Sequence, residues 1–116
     1  MKRGEVYWAE LAPRSGSEQS GRRPVVIVSH DAFVSTERWR SIIVVPLSTS
    51  NAQAGRGATA VRVPRGAAGL ARESVALCHQ VTTLDRTRLG KHVGTLPREI
   101  LDAVSSGLLV AMDLLA

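Results

Sequence analysis

The run Arg23-Pro24-Val25-Val26-Ile27-Val28-Ser29 decides the fold. Four consecutive β-branched residues favour extended backbone, and their failure to alternate with polar ones marks a strand covered on both faces. Pro24 has no N–H for a ladder bond, so it is expected at the strand's start. A second such run, Ser41-Ile42-Ile43-Val44-Val45-Pro46-Leu47, predicts a central neighbour with Pro46 near its end. Outward from this pair, residues 4–11 (Gly-Glu-Val-Tyr-Trp-Ala-Glu-Leu) read as a half-buried strand. Thr59 to Pro64 alternates and predicts a strand with one wet face. Glu73 to Thr83 reads as one extended run, with His79 facing one side and Cys78 and Gln80 the other. His92 to Thr95 is a short strand.

Between these runs, Pro13 to Gly21 and Ser48 to Gly57 are small and polar, hence loops. Residues 30–40 form a short irregular or one-turn segment. A closing helix begins near Pro97, whose missing N–H costs nothing in a first turn. Its apolar stripe is Ile100, Val104, Leu108, Ala111 and Leu115, widened by Leu101, Leu109 and Met112. Gly107 weakens this helix by about 1 kcal/mol relative to alanine, which burial must offset. Six or seven short strands closed by one amphipathic helix predict a mainly β protein: a small β-barrel with a C-terminal helix packed on it.

At 116 residues, 44% of them apolar, the chain is expected to form one domain spanning 1–116 with a core that needs no staple. Its four aromatics are Tyr7, Trp8, Phe33 and Trp39, so packing must rest on aliphatic side chains. A lone cysteine, Cys78, excludes an intrachain disulfide or a multi-cysteine metal site. No signal peptide opens the chain, and Asp102, Ser105, Ser106 and Asp113 interrupt its most apolar stretch, so the expectation is a cytoplasmic protein away from membranes. Fifteen Lys and Arg, thirteen of them arginine, stand against ten Asp and Glu. That +5 balance favours a polyanionic partner, because the guanidinium fork matches phosphate.

Three constellations bear on chemistry. In Gly16-Ser17-Glu18-Gln19-Ser20-Gly21-Arg22-Arg23-Pro24, a glycine-bounded loop delivers two arginines to the root of a buried strand. A guanidinium fixed there can neutralise charge building on a phosphate without reorganising. The plain alternative is a solvated hairpin loop with ordinary surface cations. Ser48-Thr49-Ser50-Asn51, just past the second buried strand, offers hydroxyls and an amide to a phosphate oxygen, or simply a turn. In Leu77-Cys78-His79-Gln80, the imidazole suits acid–base work near neutral pH, or is a structural or surface histidine. A Cys78–His79 nucleophilic pair is disfavoured, since neighbours on a strand face opposite ways.

Taken together, several segments resemble the MazF/PemK family of bacterial toxins: Arg3-Gly4-Glu5-Val6-Tyr7-Trp8, Gly16-Ser17-Glu18-Gln19, Gly21 to Ser29, and Val44-Val45-Pro46-Leu47 followed by hydroxyls. The similarity continues through Gly69-Leu70, Glu73-Ser74-Val75-Ala76, Gln80 to Arg86 and Leu89-Gly90 into the terminal helix, and covers nearly the whole chain. The resemblance implies an SH3-like barrel of the MazF/CcdB type, a homodimer, and cleavage of single-stranded RNA at short sequences. It also implies a cognate MazE-like antitoxin whose C-terminal segment fills the RNA groove, and no cofactor or metal. Arg23 matches the family's main catalytic arginine. Ser48 falls where many members carry a catalytic or phosphate-binding threonine, and Thr49 lies one step on. The sequence departs from the family at His79, where some members have an acidic residue, and at Leu77, where some have arginine.

On this reading Arg23, Ser48 or Thr49, and His79 carry the reaction. Glu18, Gln19, Arg22, Ser50, Asn51 and Gln80 line the RNA groove, with Glu18 either reading a base or buttressing Arg23. Trp39 or Phe33 stacks on a base or packs in a core or dimer contact. The rival reading is a non-catalytic, CcdB-like toxin that binds a protein such as gyrase.

Overall fold

β2 and β3 run through the middle of the sheet because both of their faces are apolar. The computed structural model describes residues 1–11, 21–49, 55 and 57–115. Its strands are β1 (Glu5–Leu11), β2 (Gly21–Ile27), β3 (Ser41–Ser48), β4 (Ala60–Val63), β5 (Ser74–Leu77), β6 (Thr82–Asp85) and β7 (Leu89–Thr95). Two helices, α1 (Asp31–Val34) and α2 (Arg98–Ala111), complete the regular elements. All pairings are antiparallel, in the order β4-β5-β3-β2-β1-β7, with β6 also on β3. The path ends, β4 and β7, do not pair. A 3-10 turn at Ala67–Gly69 packs on β7 instead, giving a partly open barrel.

Alternate residues of β2 and β3 feed two separate cores, as their unbroken apolar runs require. Val26, Val45 and Leu47 join Val6, Leu70, Cys78, Val104 and Leu108 beneath α2. Val25, Ile27, Ile42 and Val44 join Ala9, Leu11, Val34 and Leu84 on the opposite face. Arg86 ties the 30–40 segment down: its guanidinium donates to the carbonyls of Val34, Thr36 and Trp39 at 3.0–3.1 Å.

Pro24 sits fourth in β2 rather than at its start. It opposes Trp8 of β1 and precedes Val25, the first β2 residue paired with β3. With a neighbour on one side alone, β2 tolerates the missing N–H there. The run 73–83 is not one strand but β5, a 3-10 turn at Cys78–Gln80, and β6. That break lets β3 pair with β5 at its C-terminal end and β6 at its N-terminal half.

α2 starts behind Pro97 as its N-cap and buries Val104, Gly107 and Leu108. The apolar stripe outruns its buried part: Leu109 within the helix, and Met112 and Leu115 past its end at Ala111, are exposed.

Candidate active site

β3 covers β2 only along Val25–Ile27, so Gly21 to Pro24 project past it with β1 alone alongside. A cavity of about 250 Å³ lies against this uncovered end. Arg22, Arg23 and Pro24 form one wall, and Leu47 and Thr49 at the end of β3 a second. Leu70, Ala71, Arg72 and Ser74 form a third, and Trp8 closes the fourth side. The walls meet because Ser48 pairs with Val75, which carries the segment before β5 to the end of β3.

Among the described residues, three arginines and no carboxylate line the cavity. The neighbouring acid, Glu73, pairs with Arg62 of β4. Arg22 lies against Trp8, its guanidinium carbon 4.7 Å from the ring centroid. Converging guanidinium groups raise the local potential for an anion, and Thr49 adds a hydroxyl donor. The arrangement can hold a phosphate diester on two sides.

Of the residues expected at the site, the cavity gathers Arg22, Arg23 and Thr49. Ser48 is 4% exposed and does not line it. His79 and Gln80 lie on the exposed or half-exposed 3-10 turn, their Nε2 atoms 3.5 Å apart. That turn follows the end of β5 remote from Ser74 and packs beside α2. Cys78 in the same turn is fully buried, and burial pushes its thiol up to about 11, which leaves almost no nucleophilic thiolate at neutral pH. Phe33 and Trp39 stack on each other with centroids 4.6 Å apart, half-exposed and outside the cavity. Glu18, Gln19, Ser50 and Asn51 lie outside the described residues. Among the described residues, no group of three His, Cys, Asp or Glu is placed to hold a metal ion.

A sequence model of the PemK-like, MazF-like toxins of type II toxin–antitoxin systems matches residues 2–112. The chain belongs to this family.

Endoribonuclease EndoA of Bacillus subtilis is 34% identical over 115 residues, covering 99% of this chain and 97% of EndoA. Endoribonuclease MazF6 of Mycobacterium tuberculosis is 32% identical over 114 residues, covering 98% of each. Among solved structures, the Mycobacterium tuberculosis toxin MazF-mt6 superposes with a TM-score of 0.74 at 25% identity, over 94% of this chain and 96% of that one. A mycobacterial endoribonuclease in complex with its cognate antitoxin shares the fold, with a TM-score of 0.80 at 21% identity over 100% and 98% of the two chains.

Trp8, Arg72 and Ser74 carry no site signal of their own in this toxin's sequence. Trp8 reads as one apolar residue of a strand, and Arg72 as one of many arginines. Only the pairing of β3 with β5 brings Arg72 and Ser74 to the cleft. Ser74 donates to the Arg72 carbonyl at 3.2 Å and so fixes the bend that presents the arginine.

Proposed function

We propose that this toxin is a sequence-selective endoribonuclease that cuts single-stranded RNA without a metal ion. The arginine-lined cleft carries the reading: among the described residues, Arg22, Arg23 and Arg72 line it together with Thr49. RNA brings its own nucleophile, the 2′-hydroxyl next to each phosphate. This oxygen attacks phosphorus, the P–O5′ bond breaks, and the products are a 2′,3′-cyclic phosphate, or the 3′-phosphate it opens to, and a 5′-hydroxyl end. The 2′-hydroxyl gives up its proton and the leaving 5′-oxygen acquires one. Arg23 stabilises the extra negative charge of the pentacoordinate phosphorane; its pKa above 12 suits this role better than that of base. Thr49 donates to a nonbridging oxygen.

The chain acts in the cytoplasm, as a single domain assembled into a homodimer. The apolar groups left exposed at the end of α2 and at Phe33–Trp39 supply surface for such assembly. A cognate MazE-like antitoxin silences it by occupying the RNA groove. Glu18, Gln19, Ser50 and Asn51 remain the proposed base readers beside Arg22, whereas Gln80, on the turn beside α2, would meet RNA only away from the cleft.

Digestion of a long single-stranded RNA in EDTA, followed by mapping of the ends, tests the reading. Cuts at one short consensus with 5′-hydroxyl and cyclic or 3′-phosphate ends are expected. Intact RNA would reject the activity and favour a toxin that acts by binding a protein target.

A further inference from the structure

Trp8 belongs to neither apolar core, either as a buried member or as a residue packed against one. Tryptophan is the largest apolar side chain, and one held outside the core usually has a partner to meet. Within the chain the Trp8 ring meets the Arg22 guanidinium, 4.7 Å from its centroid, and it also borders three adjoining cavities. The first is the arginine-lined cleft. The second, about 120 Å³, is rimmed by Arg22, Arg88 and Glu10. The third, about 300 Å³, is a mostly apolar slot between Trp8, residues 69–71 and the Lys91-His92-Val93 stretch of β7.

The far wall of that slot is built for close approach. A Cβ on Gly69, whose φ is +73°, would sit 2.5 Å from the Val93 carbonyl oxygen. One on Gly94 would sit 2.3 Å from that of Ala68. Neither glycine tolerates a side chain, so the 67–69 turn lies directly on β7 and fixes the slot's width. Leu70 and Ala71 line both this slot and the arginine-lined cleft, which makes the two spaces contiguous.

We propose that Trp8 is a base-stacking wall: the slot beside its ring takes one unpaired RNA base adjacent to the phosphate held at Arg23 and Thr49. The assignment rests on the endoribonuclease reading above. The slot's composition fits a base, with a flat aromatic ring on one side and apolar backbone on the other. Cations stand on both sides of it, where a nucleotide's two phosphates emerge: Arg22 and Arg23 in the adjoining cleft, and Lys91 in the slot's own wall. An apolar peptide side chain would fill the slot but gain nothing from that rim.

The test uses full-length protein carrying Trp39→Phe, so that Trp8 is the one emitter; Trp39 lies outside the cleft. The probe is an RNA oligonucleotide containing the mapped cut site, with 2′-deoxyribose at the scissile nucleotide so that it binds and is not cut. Its bases are deleted one at a time. The intact probe is expected to quench Trp8 emission. One abasic position next to the scissile linkage should abolish the quench and weaken binding about five- to a hundredfold, the range set by about 1–3 kcal/mol per stacked base. Trp8→Phe should retain most of the affinity and Trp8→Ala lose about tenfold or more. Quenching that survives the whole abasic series would give the slot to another occupant and overturn the assignment, whether or not Trp8→Ala folds. If that happens while the wild type still cleaves RNA, the stacking role alone falls. If the wild type neither cleaves nor binds RNA, the underlying activity falls and the stacking role with it.

Discussion

Gly107 of α2 lies directly over Cys78: a Cβ at position 107 would stand 2.7 Å from the Cys78 Sγ and 3.0 Å from the Ala58 carbonyl oxygen. A mid-helix glycine costs about 1 kcal/mol against alanine, yet here it sets the distance between the helix and the 3-10 turn. The Cys78 thiol is 3.6 Å from the Val104 carbonyl and buried beneath α2.

Gly107→Ala is therefore expected to destabilise the protein by about 1–3 kcal/mol, the overpacking cost exceeding the helix-propensity gain. Cys78→Ala removes the closest of the opposing atoms. The double variant should lose less than the sum of the singles, by at least about 0.5 kcal/mol in urea unfolding. Strict additivity, or a more stable Gly107→Ala protein, would show that the helix has room to spare.

Asp85 caps the 3-10 turn at Arg86–Arg88, accepting from both the amide and the hydroxyl of Thr87, with Arg40 beside it at 3.3 Å. The Thr87 bonds, more than Arg40, hold its carboxyl down to about 2. A carboxylate whose pKa falls on folding stabilises the folded state above its unfolded value, about 3.9, and loses that contribution as pH drops through its folded value. Asp85→Ala should accordingly lower the unfolding midpoint at pH 7. The gap from wild type should hold down to about pH 5 and close between about pH 4 and pH 2. A gap that stays constant to pH 2 would mean that the charge is irrelevant and only the cap's shape matters.

The central strands were readable from residues 23–29 and 41–47, because burial of both faces removes polar residues from the pattern itself. The site was less so. Arg23 was legible as a cation at the root of a buried strand. Arg72 was not, since its place depends on a long-range pairing, Ser48 with Val75, that no local pattern encodes. His79 looked like a strand residue because Leu77 and Val81 alternate around it. The chain there instead forms a 3-10 turn, with Cys78 buried under α2. Arginine count misleads in the same way: Arg86 bonds three backbone carbonyls, and Arg62 and Arg40 pair with acids, so these three serve the fold rather than a ligand.

The position of His79 on that turn, beside α2 and outside the cleft lining, makes a direct prediction. His79→Gln should leave kcat/KM within about threefold of wild type with an unshifted pH profile, whereas loss of a working acid or base costs about 10²–10⁴-fold. A hundredfold fall with one limb of the profile flattened would return the histidine to the reaction.

Ser48 and Thr49 are separated by a similar experiment. Thr49 lines the cleft and Ser48 is buried beside it. A hydroxyl bonded to a charged phosphate oxygen contributes about 1.5–3 kcal/mol, so Thr49→Val should cut kcat/KM by about ten- to a hundredfold. Ser48→Ala should alter cleavage less than thermal stability. The reverse ranking would move the phosphate one residue back along β3.

The strongest prediction falls on Arg23. It sits on regular strand, opposite Ala9 of β1, so replacing its side chain removes no core contact. Arg23→Ala should fold and assemble like wild type but lose at least about 10²-fold in cleavage, the scale seen when a fixed transition-state donor is removed. Arg23→Lys keeps the charge and loses the planar fork, so only partial recovery is expected. Size-exclusion chromatography and circular dichroism on the same samples separate lost chemistry from lost structure. If Arg23→Ala cleaves at the wild-type rate while folded, the charge that stabilises the phosphorane must come from Arg22 or Arg72, the two other arginines on the cleft wall.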